Sequence, residues 1–281
     1  FTSSKNFGID ETHLYEPKSL PVSSYILKYM YDTLDPGFGF WSWKPIIILD
    51  MFSKINDGDV VIYHDAGRTG YNYEFKKNIK PLIYDVIYNY NGVGVAQGYW
   101  KHKQYCKREC FVKMECDSPE YWELDHAVST WHIWQKNELA EEILIEWKKY
   151  CFDPSGIITN EIDETLSNIT DDFVGHRHDQ SILSLLTQRH GIVRHPLEDV
   201  YCDESLRHTF LSGASLYLHR GNFKIHEPVL EGIDDVWVIN LDRRTDRMER
   251  FYKSHPYFKR RADRKSTRLN SSHVSESRMP S

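Results

Sequence analysis

Gly58-Asp59-Val60-Val61-Ile62-Tyr63-His64-Asp65-Ala66-Gly67 is the stretch on which the fold turns. Val60 to Tyr63 is a continuous β-branched and aromatic run, the pattern of a strand buried on both faces in a parallel sheet. Upstream, Pro45 suits the first turn of a helix. Ile46, Ile47, Leu49, Met51, Phe52 and Ile55 give that helix a broad apolar face, and Asp57-Gly58-Asp59 stops it. Before it stand a turn at Asp35-Pro36-Gly37-Phe38-Gly39 and a short helix over Tyr25–Leu34; residues 1–24 read as loop. Downstream, the pattern predicts a helix over Tyr73–Tyr90 broken at Pro81, then a strand over Val93–Tyr99 and an ambiguous amphipathic segment over Cys106–Met114. A strand over Ala127–Trp134, helices over Glu138–Tyr150 and Asp179–His190, and a short strand over Ile192–His195 complete the pattern. Helices alternating with strands imply an α/β sheet.

Composition narrows the class. The chain has 281 residues, 40% hydrophobic, 14% aromatic and 27% charged, which excludes disordered, collagen-like and coiled-coil architectures. A net charge of −6 argues against a nucleic-acid partner. No apolar run is long enough to span a bilayer and no signal peptide is legible, so the expected compartment is the cytoplasm. Cys106, Cys110 and Cys116 lack Cys-x-x-Cys spacing, which predicts reduced structural thiols rather than a zinc ribbon.

Residues 263–281 resemble a translated short-read sequencing adapter, codon for codon from Asp263 to His273 and again from Ser277 to Ser281. Setting them aside removes Arg264, Lys265, Arg268 and Arg278 against Asp263 and Glu276, and takes the net charge from −6 to −8. Phe1 at the start and the tail at the end predict a fragment open at both ends. Composition shifts near Glu227–Asp235, and Val236-Trp237-Val238-Ile239-Asn240-Leu241 is a second buried-strand run. The expected division is therefore a first domain over 1–230, the opening of a second over 231–262 and a non-native tail over 263–281.

Four clusters can carry chemistry. Asp65 lies at the carboxyl end of a strand, where open α/β sheets bind ligands. Its carboxylate can hold Mg²⁺ or Mn²⁺ against a diphosphate, or it can cap the following turn. His176-Arg177-His178-Asp179-Gln180 opens a helix and supplies possible metal ligands or a base, or merely a solvated helix start. Phe38-Gly39-Phe40-Trp41-Ser42-Trp43-Lys44-Pro45 offers aromatic faces for a sugar or base with Lys44 near phosphate, or core anchors. Arg243, Arg244 and Arg247 can fork onto phosphate, or form a basic helix start.

Taken in order, Gly37 to Pro45, Gly58 to Gly67 and His176 to Leu186 resemble a group of GT-A-type nucleotide-sugar glycosyltransferases of bacterial polysaccharide clusters and large DNA viruses. The resemblance spans roughly residues 7–195. It implies a GT-A-like, Rossmann-like mixed sheet flanked by helices, N-terminally incomplete because the first, base-cradling strand is expected before Gly8. It implies hexosyltransferase-like, metal-assisted transfer from a nucleoside-diphosphate sugar to a glycan, lipid-linked or protein acceptor. By the same resemblance Asp65 and His178 would hold the metal, and Trp43, Lys44, Asp65 and Gln180 would bind the donor. His178 and Asp179 would then be the catalytic pair. Tyr63 stands where a first carboxylate often lies, which leaves a single acid. Val236 to Phe251 resembles the opening of family 25 glycosyltransferases, of lipooligosaccharide and collagen type, and implies two transferase modules in tandem.

Two other readings of the residues stay open. One is a phosphoester hydrolase with His176, His178 and Asp179 around a metal away from Trp43. The other is a non-catalytic carbohydrate- or nucleotide-binding module. The glycosylation triplet Asn168-Ile169-Thr170 bears only on a secretory compartment.

Overall fold

The computed structural model describes residues 8–13, 15, 17–32, 38–64, 72–75, 78–197, 201–203 and 216–219. Within them the chain is mixed α/β. The principal helices and strands, in order, are α1 (Ser24–Asp32), α2 (Lys44–Phe52), β1 (Val60–His64), β2 (Asn72–Phe75), α3 (Lys80–Asn89) and β3 (Val93–Lys101). There follow the short helices α4 (His102–Tyr105), α5 (Arg108–Lys113) and α6 (Pro119–Trp122), then β4 (Asp125–Gln135), α7 (Glu138–Cys151), α8 (Asp179–Arg189), β5 (Tyr201–Asp203) and β6 (Leu216–His219). No helix among the described residues is long and apolar enough to cross a membrane. The expected second domain over 231–262 and the tail over 263–281 lie outside the described residues.

Among the described residues the main sheet has three strands in the order β1-β4-β3, all antiparallel. A smaller sheet has the order β2-β6-β5. The parallel strand expected at Val60–Tyr63 is thus corrected: β1 runs antiparallel to β4, from Val60 opposite Gln135 to His64 opposite Trp131, and is an edge strand among the described residues. The reason it reads as parallel is that both faces of this sheet are covered. Val61 and Tyr63 pack into the large core with α2, α7 and α8, while Val60 and Ile62 pack against a second core with Ile79, Leu82 and Val86 of the α3 region. A strand apolar on both faces carries no alternation whichever way its partner runs. Beyond β3, the expected strand at Ile192–His195 reduces to a parallel bridge between Ala96 and His195.

Helix-forming signals behave as local chemistry requires. Pro45 sits in the first turn of α2, and Asn137 caps α7 by accepting from Ala140 N at 2.8 Å. Pro81 opens α3 instead of breaking a longer helix, since its fixed φ and missing N–H cost nothing in a first turn, and residues 72–75 before it are extended. Trp134, Trp147, Phe111, Ile143 and Leu144 fill the centre of the large core, where Cys106, Cys110, Cys116 and Cys151 are free thiols and buried.

Two irregularities position the site. Gly39, Phe40 and Trp41 are all left-handed, with φ of 56°, 53° and 59°. A Cβ at Gly39 would lie 2.6 Å from Met30 Cγ, so α1 packs against bare backbone there. The non-glycine members store roughly 1–3 kcal/mol each, a strain that packing must hold in place. The second irregularity is in β4. Val95 pairs with His132 but Gln97 pairs with Ala127, so two steps on β3 match five on β4. That bulge re-aims Ser129 into the large core's side of the sheet.

Candidate functional site

The bulge, the left-handed turn and the start of α8 meet at one place. Lys44 Nζ lies 3.0 Å from Asp179 Oδ2 and donates to Ser129 O at 2.8 Å and Ser129 Oγ at 3.1 Å. Ser129 Oγ in turn donates to Asp179 Oδ2 at 3.0 Å. Lys44 and Asp179 are each only 2% exposed, so this is an ion pair inside the protein. Trp147 Nε1 donates to the Asp179 carbonyl at 3.0 Å and fixes the helix start from a third side. The Lys44 ammonium also stands 5.6 Å from the centre of the Tyr63 ring, on β1. Tyr63 stacks on His132 at 4.5 Å, and Trp43 approaches Tyr63 at 6.1 Å.

His178 is the residue before α8 and has φ 53°, ψ −122°. Its ring lies 4.9 Å from Phe40 and 5.7 Å from Trp41, the two strained aromatics. Nδ1 sits 2.7 Å from the Ile158 carbonyl, which can only accept, so the proton is assigned to Nδ1 and the lone pair to Nε2. Burial pushes the imidazole down to about 4, which keeps it neutral at pH 7. His176 packs edge-on against His178 at 5.4 Å and accepts from Lys107 N. The loop that delivers both histidines is held by Lys107 Nζ, which donates to Gly156 O and Glu161 O at 3.2 and 2.6 Å. Gln180 Nε2 donates to Ala127 O at 2.7 Å and ties α8 to β4.

The expected site residues therefore fare differently. Trp43, Lys44, His178, Asp179 and Gln180 are brought together, along with the strand that leads to Asp65. Asp65 itself lies outside the described residues, as do Arg243, Arg244 and Arg247. Lys44 does not stand free beside a phosphate: its ammonium is enclosed by Asp179 and Ser129. Trp43 packs into two hydrophobic clusters at once, so it is in part the core anchor that composition allowed. Asp179 Oδ2 is engaged by Lys44 and Ser129, and it is not gathered with His176 and His178 into a hydrolase-type metal centre. Among the described residues no three His, Cys, Asp or Glu side chains are grouped to hold a metal ion. The donor chemistry at His178, a neutral lone-pair nitrogen, suits one ligand of a Mn²⁺ shell; its expected carboxylate partner is Asp65.

Sequence reasoning missed Ser129, His132 and Tyr63 as parts of this cluster. Nothing local marks Ser129, because its role comes from the bulge register. Tyr63 was legible as the strand residue two before Asp65, but not as the ring that flanks Lys44. No family model matches the chain, and a search of curated proteins finds no match.

Proposed function

We propose that the chain is a nucleotide-sugar glycosyltransferase with a GT-A-like fold, which moves a sugar from a nucleoside diphosphate to a hydroxyl of a glycan, lipid-linked or protein acceptor. The observation that supports this is the convergence of three motifs far apart in sequence. The aromatic turn at Phe38–Trp41, strand β1 leading to Asp65, and His178-Asp179-Gln180 pack against one another through Lys44, Tyr63 and the Phe40–His178 contact. Such agreement between distant segments is what a binding site requires and a set of unrelated loops does not.

Each group then has a role. Trp41, half-buried beside His178, offers a ring face to the donor. His178 presents a neutral Nε2 as acceptor or ligand. Asp65 and His178 would hold a Mn²⁺ or Mg²⁺ ion, whose charge would offset that of the departing nucleoside diphosphate. Lys44 and Asp179 act as positioning residues. By locking the start of α8 to β4 and α2, they fix where His178 and Gln180 point.

A thermal-shift screen of nucleoside-diphosphate sugars with Mn²⁺ on the full chain tests the reading, because a ligand of the folded state raises its melting temperature by mass action. One donor class should raise it, and Trp41→Ala should weaken that donor by about 1–3 kcal/mol, as for one lost stacking contact. A flat response to every donor would remove the proposal. Equal affinity in wild type and Trp41→Ala would move the donor away from the aromatic turn.

A further inference from the structure

Between α7 and α8, residues 152–178 form no helix or strand. So long a stretch without secondary structure is uncommon in a compact fold and is usually functional, as lids are. Both of its ends lie at the histidine pair. Ile157 and Ile158 are buried in the large core, and the Ile158 carbonyl meets His178 Nδ1 at 2.7 Å. The chain returns through Gly175 directly to His176. His176 and His178 are 8% and 5% exposed.

The residues in between are fastened unlike the rest of the fold. Among the described residues no backbone–backbone hydrogen bond joins 160–173 to another element; the first is Val174 N to Gln104 O at 2.8 Å. Side chains from 104–109 pin the segment instead. Lys107 Nζ donates to Glu161 O at 2.6 Å, Arg108 Nη1 to Ser167 O at 3.4 Å and Gln104 Nε2 to Asp172 Oδ2 at 2.6 Å, while Glu109 Oε1 accepts from Asp163 N. The last three lie at the surface, where water can replace them. Ile169 packs against the large core, but Ile162 and Val174 are exposed. Gly156 and Gly175 flank the segment with φ of 71° and 153°. A Cβ would meet nothing within 4 Å at Gly175 and only Thr159, at 3.6 Å, at Gly156, so close packing does not call for glycine at either place. What both supply is backbone freedom, which a hinge needs.

A segment with few buried apolar contacts and surface hydrogen bonds opens at a fraction of the cost of global unfolding. We propose that residues 159–174 are a lid, latched by the side chains of Gln104, Lys107, Arg108 and Glu109, that swings about Gly156 and Gly175 to uncover His176 and His178. The opening is independent of the transferase reading; its use, admitting reactants to the His178 lone pair, rests on that reading. Diethyl pyrocarbonate, which acylates neutral imidazole nitrogen, tests the lid on the full chain at pH 7. It needs no donor sugar, so its outcome is separate from that of the donor screen. Mass spectrometry follows each histidine. His13, with its side chain 45% exposed, marks the open rate, and His132, 0% exposed, marks global unfolding. His178 should react at a rate between the two. Glu109→Ala combined with Asp172→Ala should raise that rate roughly tenfold or more, as for two lost hydrogen bonds, while His13 and His132 keep theirs. His178 reacting as slowly as His132 in both proteins would overturn the lid. So would a native His178 rate equal to that of His13, since no latch would then hold. Acceleration of His178 and His132 together would mean that the whole fold opens, and an intermediate rate left unchanged by the double variant would remove the latch; either result overturns the proposal.

Discussion

Replacing Lys44 by Met should lower the unfolding free energy by about 3–5 kcal/mol, because it leaves the enclosed Asp179 carboxylate without the cation that faces it at 3.0 Å. The same range is expected for Asp179→Leu, which removes the carboxylate that faces the buried ammonium. Both groups are almost fully withdrawn from water, so neither can recover hydration when its partner goes. The double replacement should cost less than either single one. A pair of apolar side chains of similar volume fills the same space with no charge to solvate. Urea unfolding of the four proteins measures this directly. Single-variant losses below about 1 kcal/mol, the range of exposed pairs, would mean that the two charges meet water.

A second large effect is expected on acidification. His102, His126 and His132 are buried, and burial is the first cause holding each below its ordinary value, with His126 brought down to about 3. The unfolded chain takes up protons on these rings near pH 6.5, whereas the folded chain does not. Stability is therefore fully present above about pH 6.5 and is lost as pH falls below it. For His126 the loss continues until about pH 3. At pH 5 this group alone costs about 2 kcal/mol, and His102 and His132 push in the same direction. Set against a typical total of about 5–15 kcal/mol, that is a steep decline. Paired carboxylates such as Asp50 and Glu146 lose their contribution only below their unfolded values of 3.8 and 4.5, so the window from 6.5 to 5 belongs to the histidines. Urea midpoints at constant ionic strength should fall steadily across that window. His126→Asn should make the fall shallower by about one proton's worth. Midpoints that stay level from pH 7 to 5 would contradict the burial of these rings.

Elements whose signal is local were legible in the sequence. The periodicity of α7 and α8 and the alternation over Ala127–Trp134 in β4 give their positions to within a few residues. What escaped depends on partners. The direction of β1 is decided by β4, seventy residues on, and a strand apolar on both faces says nothing about that choice. The Pro81 segment turned on whether proline begins or interrupts a helix, a question its own φ preference leaves open. Of the candidate site, the three motifs were legible because each joins unusual residue types over a short span. The internal Lys44–Asp179–Ser129 contact was not, because a lysine beside two tryptophans reads equally as a surface cation. Only the bulge in β4 opposite Val95–Gln97 of β3 shows why Ser129 completes it.

Asp65 is the carboxylate that directly follows β1 in the sequence. Release of nucleoside diphosphate from a donor sugar, compared between the native chain and Asp65→Asn, measures its role most directly. At matched folding and saturating donor, the variant should lose most turnover, because the amide keeps the shape of the side chain but not its charge. Unchanged nucleoside-diphosphate release in Asp65→Asn would contradict the assignment of donor chemistry to this end of the sheet.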